Sequence, residues 1–322
     1  VRPAVSERVR FLREPATTWS RLGSLRLRAR AVAEGVWAGA HKSRRRGSGI
    51  EFGEKRSYAA GDDLRWLDRR SLLLFDKLVV RQFETETDRA LRLVVDATAS
   101  MGFSGISGSS ASRASKYEAA ATVAAVLARL ALKGGDPFGI ALFGGKSSRE
   151  DAPRGVQNLP VRAGKEGWER LVDLLEETTP AGDAVADPTL AEQAFGILLR
   201  GARRGSLVVV ISDLLDRDEA QEKLLFGLAS RGRVLVVLRL LDRDERTFPF
   251  AEATELRGLE GDLVRTADPS VAAAYQQALA DDEARLRQEI EARGGRLVVR
   301  SSDDDPIEIV RAVLNAAWHE VG

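Results

Sequence analysis

The sequence contains no cysteine and only two histidines among its 322 residues. Without cysteine, the chain forms no disulfide, holds no cysteine-ligated zinc and has no thiol nucleophile, which is compatible with a reducing compartment. A Ser-His-Asp triad or a multi-histidine metal site would have to use His41 or His319, which both lie near the chain ends. We therefore do not expect either of these chemistries.

Long apolar runs are also absent. None approaches the roughly 20 residues that a membrane-spanning helix needs, and arginines interrupt the first residues where a signal peptide would have an apolar core. We expect no membrane span and a cytoplasmic location. Hydrophobic residues make up 44% of the sequence, enough for one large domain or for one domain with an appendage.

The charge is unevenly distributed: residues 1–50 hold twelve Lys and Arg against three Glu, although the net charge is +1. A basic arm of this kind binds nucleic acid, an anionic membrane surface or the acidic body of its own chain. The last alternative is favoured by an apolar stripe at helical spacing, formed by Leu22, Leu25, Ala29, Val32 and Val36. We expect this helix to dock on the domain with its arginines in water. No interleaved aromatic residues indicate base stacking.

The clearest functional pattern begins with an apolar run, Leu91–Val95, that ends in Asp96 and is followed by Thr98 and Ser100. Such a run, bounded by a glycine-rich segment, predicts a central parallel strand. Open α/β sheets place ligands at the carboxyl ends of these strands. The carboxylate and hydroxyls are ligands that Mg²⁺, Mn²⁺ or Ca²⁺ prefers. The alternative is a strand-end turn in which Ser and Thr cap a helix.

A second apolar strand, residues 206–212, also ends in an acid, Asp213. The loop before it places Thr189 at the start of a predicted helix, where its hydroxyl is free to cap the helix or to bind a metal. Two strands that each end in an acid, with a threonine loop between them, form a pattern that a lone strand-end aspartate does not.

Strands and helices alternate in the prediction from residue 88 to residue 322. This alternation predicts an α/β fold: a doubly wound, mostly parallel, Rossmann-like sheet with right-handed crossovers. Residues 1–87 are predicted to hold the basic helix and a charged β-type segment. The run Gly144-Gly145-Lys146-Ser147 resembles the end of a phosphate loop, but Gly139 is one residue out of register with the motif and no helix follows. We therefore do not expect a nucleotide here.

The charged segment contains Asp62, Asp63 and Asp68, which would suit a second acidic site. Arginines alternate with these acids, however, and the favoured interpretation is a salt-bridge network that pins the segment to the domain. The arginines concerned are Arg56, Arg65, Arg69 and Arg70.

Asp96-x-Thr98-x-Ser100, then Thr189, then Asp213 resembles the metal-ion-dependent adhesion site of von Willebrand factor type A domains. The upstream segment resembles the bacterial DUF58 family (domain of unknown function 58) in the pattern Glu54-x-Arg56-x-Tyr58-x-x-Gly61-Asp62-Asp63-x-Arg65-x-x-Asp68. The chain departs from the family at Thr98, where serine is usual, and at Arg69, where tryptophan commonly stands. Many members of that family carry N-terminal membrane helices, whereas this chain has the basic helix instead and in this respect resembles the family's soluble subgroup.

The resemblance implies a binding module and not an enzyme. One Mg²⁺ or Mn²⁺ ion would be held by Asp96, Thr98, Ser100, Thr189 and Asp213, with the hydroxyls bound directly, the aspartates often bound through water, and one position left for an acidic side chain of a partner. It also implies association with a MoxR-type AAA+ ATPase, as an adaptor or co-chaperone. The alternatives are a Mg²⁺-dependent phosphoryl hydrolase and, more weakly, nucleic-acid binding through the basic arm.

Overall fold

The computed structural model describes residues 24–44, 55–57, 79–81, 90–105, 113–148, 155–183, 186–215, 217–229, 232–249, 254–257, 264–267 and 269–318. The chain divides into two compact units, Val1–Val36 with Asp88–Gly322, and Trp37–Thr87. The predicted boundary at residue 88 is also a boundary between these units, whereas the chain up to Val36 groups with the larger one. The acidic cluster Asp62, Asp63 and Asp68 lies outside the described residues.

The helices are α1 (Leu25–Arg44), α2 (Lys116–Gly134), α3 (Lys165–Glu177), α4 (Thr189–Gly201), α5 (Glu219–Gly227), α6 (Arg243–Thr247), α7 (Ala272–Glu291) and α8 (Pro306–Trp318). The strands are β1 (Lys55–Ser57), β2 (Val79–Arg81), β3 (Leu91–Ala97), β4 (Phe138–Gly144), β5 (Lys146–Ser147), β6 (Gln157–Arg162), β7 (Thr178–Thr179), β8 (Leu207–Ser212), β9 (Val234–Leu241), β10 (Thr254–Arg257), β11 (Val264–Ala267) and β12 (Arg296–Ser301). In the part of the chain described here, no helix is long and apolar enough to cross a membrane.

The main sheet has six strands in the order β12-β9-β8-β3-β4-β6. The first five run parallel, and β6 pairs antiparallel with β4 at one edge. This arrangement confirms the predicted doubly wound, mostly parallel sheet. In the smaller unit, β1 and β2 pair antiparallel. In the larger unit, β10 and β11 also pair antiparallel.

Strand β3 lies at the centre of the sheet and is buried on both faces. Leu93 and Val95 belong to one core cluster, whereas Val94 between them belongs to the other. Helices α1, α2, α3 and α8 supply the first cluster, and α4, α5 and α7 supply the second. A strand covered by helices on both faces needs apolar side chains pointing to each of them, which explains the three consecutive apolar residues Leu93, Val94 and Val95.

Helix α1 packs its apolar stripe into the first core cluster. Leu25, Ala29, Val32 and Val36 are all buried there, which confirms the predicted docking. Leu22, the first residue of the predicted stripe, lies outside the described residues. Residues 25–36 of the helix are thus an integral part of the larger unit.

The arginines of α1 do more than face water, which corrects the sequence-based expectation. Arg26 forms ion pairs with Glu169 (Nε to Oε2, 2.9 Å) and Asp173 (Nη2 to Oδ1, 2.5 Å) on α3. The guanidinium of Arg30 stacks over the indole of Trp168, 5.3 Å from the ring centroid. The acidic face of α3 decides this outcome, because it places carboxylates within reach of a basic helix.

A second ionic network joins α7 to β9. Arg239, only 1% exposed, donates Nε to the carbonyl oxygen of Asp213 at 2.9 Å, and its Nη2 lies 3.0 Å from Oδ2 of Asp282. The same Asp282 also pairs with Arg217. Burial alone would raise the pKa of Asp282, but the hydrogen bonds and charges of the two arginines hold it below its ordinary value.

We expect Val32→Ala to lower the free energy of unfolding by about 1–3 kcal/mol, because it removes apolar volume from a side chain that is fully buried. Leu27→Ala is the matched control on the exposed face of the same helix, since Leu27 is 56% exposed. Its effect should stay within about 0.5 kcal/mol. Urea unfolding followed by circular dichroism measures both values. Equal losses for the two variants would contradict the docking of α1.

We also expect Asp282→Asn to destabilise the protein at neutral pH by about 1–3 kcal/mol, because it leaves Arg217 and the buried Arg239 without their shared carboxylate. Since the folded pKa of Asp282 is lowered, its stabilisation is present above the unfolded pKa and is lost as the pH falls through the folded pKa. Urea unfolding at pH 7 and pH 3 should therefore show the variant approaching wild type in acid. Asp281→Asn, one residue away, should change little at either pH.

Candidate metal centre

Asp96 stands near the carboxyl end of β3 and is 5% exposed. Its Oδ1 accepts hydrogen bonds from the backbone N–H of Thr98 at 2.9 Å and from the Thr98 hydroxyl at 2.7 Å. The Thr98 hydroxyl oxygen also lies 3.1 Å from that of Ser100. The carboxylate and both hydroxyls predicted from this stretch therefore form one connected group of oxygens.

The neighbouring strand β8 adds a residue that sequence reasoning missed. The parallel register pairs Val95 with Ile211, so Ser212 comes to lie beside Asp96. Its hydroxyl donates to Oδ2 of Asp96 at 2.7 Å. The available signal was a hydroxyl directly before the strand-end acid Asp213, at the position that register aligns with Asp96.

Two backbone features hold the Asp96 loop in place. Gly144 has φ +73°, and a Cβ there would lie 2.8 Å from the backbone nitrogen of Thr98, so only glycine permits this approach. The N–H of Ala99 donates to the Gly182 carbonyl, and the N–H of Ala181 donates to the Ala97 carbonyl, each at 2.9 Å. The glycine run that resembled a phosphate loop thus includes a close-packing position against the candidate site.

A small cavity of about 30 Å³ opens beside these groups. Its described polar lining comprises Asp96, Thr98, Ser100, Ser212, Asp213, Arg217 and Gln221, with apolar side chains such as Phe143 and Phe195 behind them. A single water needs roughly 10–15 Å³ by this measure. The cavity is therefore the size of a few water-sized particles and far too small for a nucleotide.

Thr189 is the predicted residue that the structure does not bring into this group. It is exposed at the first turn of α4. Its hydroxyl donates to Oδ1 of Asp187 at 2.5 Å, and its backbone N–H donates to the same oxygen at 3.2 Å. The cavity is thus lined by four of the five predicted residues, Asp96, Thr98, Ser100 and Asp213, and not by Thr189.

Asp213 is held by a lysine that sequence reasoning did not assign to the site. The Nζ of Lys116, with a fully buried side chain, lies 2.7 Å from Oδ2 of Asp213 and 2.6 Å from Oε1 of Glu245. Lys116 is the first residue of α2 after its cap Ser115. A cation is unfavourable at a helix N-terminus, so a lysine in that position was a signal that acidic partners lie nearby.

The electrostatics reflect carboxylates gathered in a buried place. Burial and the charge of Asp213 raise the pKa of Asp96 to about 7, against the opposing hydrogen bonds of Ser212 and Thr98. Burial would lower the pKa of Lys116, but the carboxylates of Asp213 and Glu245 raise it. The pKa of Glu245 is also raised, mainly by its own burial.

The donor set fits a hard divalent ion in its chemistry, because every predicted ligand offers oxygen. Among the residues that the structure describes, no group of three or more His, Cys, Asp or Glu side chains is placed to hold a metal ion. A metal at this cavity would therefore depend on the hydroxyls of Thr98 and Ser100 as much as on the carboxylates. Burial and the charge of Asp213 raise the pKa of Asp96, and a cation bound in the cavity would favour the ionised form of this carboxyl.

Curated relatives of this chain include two Mycobacterium proteins. The uncharacterized protein Mb1516 of Mycobacterium bovis is 28% identical over 194 residues, which cover 60% of this chain and 56% of the relative. The uncharacterized protein Rv1480 of Mycobacterium tuberculosis matches with the same identity and coverage. This chain thus spans about half the length of the curated relatives that it matches.

Solved structures similar to this chain include an aerotolerance-related membrane protein from Bacteroides fragilis, at 16% identity and a TM-score of 0.45, covering 71% of this chain and 98% of that one. BatB from Bacteroides thetaiotaomicron has 16% identity and a TM-score of 0.42, with the same coverage. The SpRpn10 VWA domain has 11% identity and a TM-score of 0.36, covering 69% and 93%.

The main sheet, parallel except for one edge strand and covered by helices on both faces, is a doubly wound α/β fold. The family model matches residues 54–285, more than half of the chain. The chain therefore belongs to the family described as Protein of unknown function DUF58.

Proposed function

We propose that this protein is a non-enzymatic, metal-dependent protein-binding module that acts in the cytoplasm as an adaptor or co-chaperone of a MoxR-type AAA+ ATPase. The observation that carries the proposal is the convergence of Asp96, Thr98, Ser100 and Asp213 on one small cavity at the carboxyl edge of the sheet. Asp96, Thr98 and Ser100 come from the end of β3 and the turn after it, and Asp213 directly follows the neighbouring strand β8.

In this proposal, Thr98 and Ser100 would contact one Mg²⁺ or Mn²⁺ directly, while Asp96 and Asp213 would hold it through water. The ion would supply an open coordination position for a carboxylate of the partner. Thr189 would join only by giving up its hydrogen bond to Asp187. The buried strands on both sides of Asp96 would keep the hydroxyls in place.

The two rival functions receive less support from the described residues. A phosphoryl hydrolase needs a nucleophile or base facing the metal, but Lys116 is fully buried and ion-paired with two carboxylates. Nucleic-acid binding needs free basic groups, whereas Arg26 is paired with α3. The partner assignment rests on the resemblance to DUF58 proteins associated with MoxR-type ATPases.

We expect isothermal titration calorimetry to show one bound Mg²⁺ or Mn²⁺ per chain, with weaker binding of the larger Ca²⁺. Asp96→Ala and Ser100→Ala should each weaken the Mg²⁺ affinity by about tenfold or more, because each removes an oxygen from the cavity. Asp281→Ala, an exposed acid on α7, is the control and should bind like wild type. Unchanged binding by Asp96→Ala would show that the ion sits elsewhere.

We expect a MoxR-type ATPase from native cell extract to be retained on the immobilised protein with Mg²⁺, released by EDTA and recovered when Mg²⁺ is restored. Asp96→Ala should lose this retention while remaining folded, because the apolar cores hold the fold. Mass spectrometry identifies the retained proteins, and circular dichroism checks the fold. Retention of the ATPase that is unchanged by EDTA would exclude a metal bridge. The absence of any ATPase among the retained proteins would exclude the proposed partner. Metal-dependent phosphatase or ATPase turnover by the protein alone, lost in Asp96→Ala, would replace the adaptor with an enzyme.

A further inference from the structure

The ammonium group of Lys116 occupies a position between the candidate metal centre and the corner where β9 meets α6. Its Nζ contacts Asp213 at 2.7 Å and Glu245 at 2.6 Å, and the lysine is fully buried. Asp213 lines the cavity, whereas Glu245 belongs to α6 and does not. One internal cation is thus shared between a cavity carboxylate and a carboxylate outside it.

Both carboxylate oxygens of Asp213 already accept hydrogen bonds in this arrangement. Its Oδ2 accepts the hydrogen bond from Lys116, and its Oδ1 accepts the backbone N–H of Leu215 at 3.3 Å. Any cation that draws on this carboxylate therefore competes with the lysine for its charge. Two positive charges near one carboxylate also repel each other, more strongly in a buried place than in water.

We propose that Lys116 is a built-in competitor of the divalent ion: its ammonium satisfies Asp213 when the cavity holds no metal, and Glu245 receives the ammonium when Asp213 turns to the ion. This inference rests on the proposed metal site and concerns its regulation. The lysine keeps the metal-free protein folded with its acids buried, and it weakens metal binding, so that occupancy follows the free Mg²⁺ concentration.

Glu245 is anchored in a way that suits it to receive the ammonium. Its Oε2 accepts the backbone N–H of Asp242 at 2.7 Å, which leaves Oε1 facing Lys116. A second ion pair lies at the same corner: Arg113 Nη1 is 3.2 Å from Oδ2 of Asp244. This second pair has the same charges and is formed without Asp213, so it offers matched controls.

A competitor role and a positioning role for Lys116 predict opposite changes in the Mg²⁺ affinity when this lysine is replaced. If Lys116 competes, Lys116→Met should bind Mg²⁺ about tenfold more tightly than wild type, because the repulsion and the competing ion pair are gone. Glu245→Gln should bind about three- to tenfold more weakly, because the whole ammonium then rests on Asp213. If Lys116 only positioned Asp213 as a ligand, Lys116→Met would weaken binding.

The experiment titrates Mg²⁺ by calorimetry and Mn²⁺ by electron paramagnetic resonance into the full chain, and measures the thermal midpoint with and without the ion. The variants are Lys116→Met and Glu245→Gln, with Arg113→Met and Asp244→Asn as controls expected to stay within about twofold of wild type. Lys116→Met should also show a lower midpoint in EDTA and a larger rise on adding Mg²⁺ than wild type.

The two proposals fail in distinguishable ways. A wild-type protein that binds neither ion overturns the metal site itself. A wild-type protein that binds, together with equal or weaker binding by Lys116→Met, overturns the competitor role. The competitor role is also overturned if the Mg²⁺ affinities of the two control variants change as much as those of the test variants. The effect would then come from the overall charge of this region and not from the contact between Lys116 and Asp213. If Lys116→Met does not fold in EDTA, the Mg²⁺ affinity of Glu245→Gln decides. Binding by Glu245→Gln that is as tight as wild type overturns the proposal.

Discussion

Two acids at the ends of adjacent parallel strands impose the constraint on which this edge of the sheet depends. Asp96 and Asp213 are both almost fully buried, and burying like charges together is unfavourable unless other groups compensate them. The repulsion is visible in the pKa of Asp96, which burial and the charge of Asp213 raise to about 7. The contacts of the surrounding residues show how these two buried carboxylates are compensated.

The compensation is divided unequally between the two carboxylates. Among the described residues, the donors to Asp96 are the neutral groups of Thr98 and Ser212, whereas Asp213 receives the charge of Lys116. The cavity therefore has one wall with a carboxylate and hydroxyls and another wall whose carboxylate is already paired. In the proposed function the first wall attracts a divalent ion. The second wall sets how strongly that ion is held, and through Glu245 it links the site to the corner between β9 and α6.

Much of the fold was predictable because its signals are local. Strand β9 (Val234–Leu241) is an apolar run interrupted by a single arginine, Arg239. Helix α8 (Pro306–Trp318) begins with proline, which suits the first turn of a helix. The docking of α1 also followed from its apolar stripe. The ion pairs of its arginines could not be predicted in this way, because their carboxylate partners belong to α3, about 140 residues away.

The sequence by itself determined the Asp96-x-Thr98-x-Ser100 loop, because alternate residues after a strand end are joined by a short stretch of backbone. It also determined that Asp213 ends a second strand. Only the tertiary structure decided that Ser212 bonds to Asp96 across 116 residues and that Lys116 bonds to Asp213 across 97. Spacing along the chain constrains neighbours, but the partner of a buried charge depends on how strands register and helices pack, and many distant residues compete for that place.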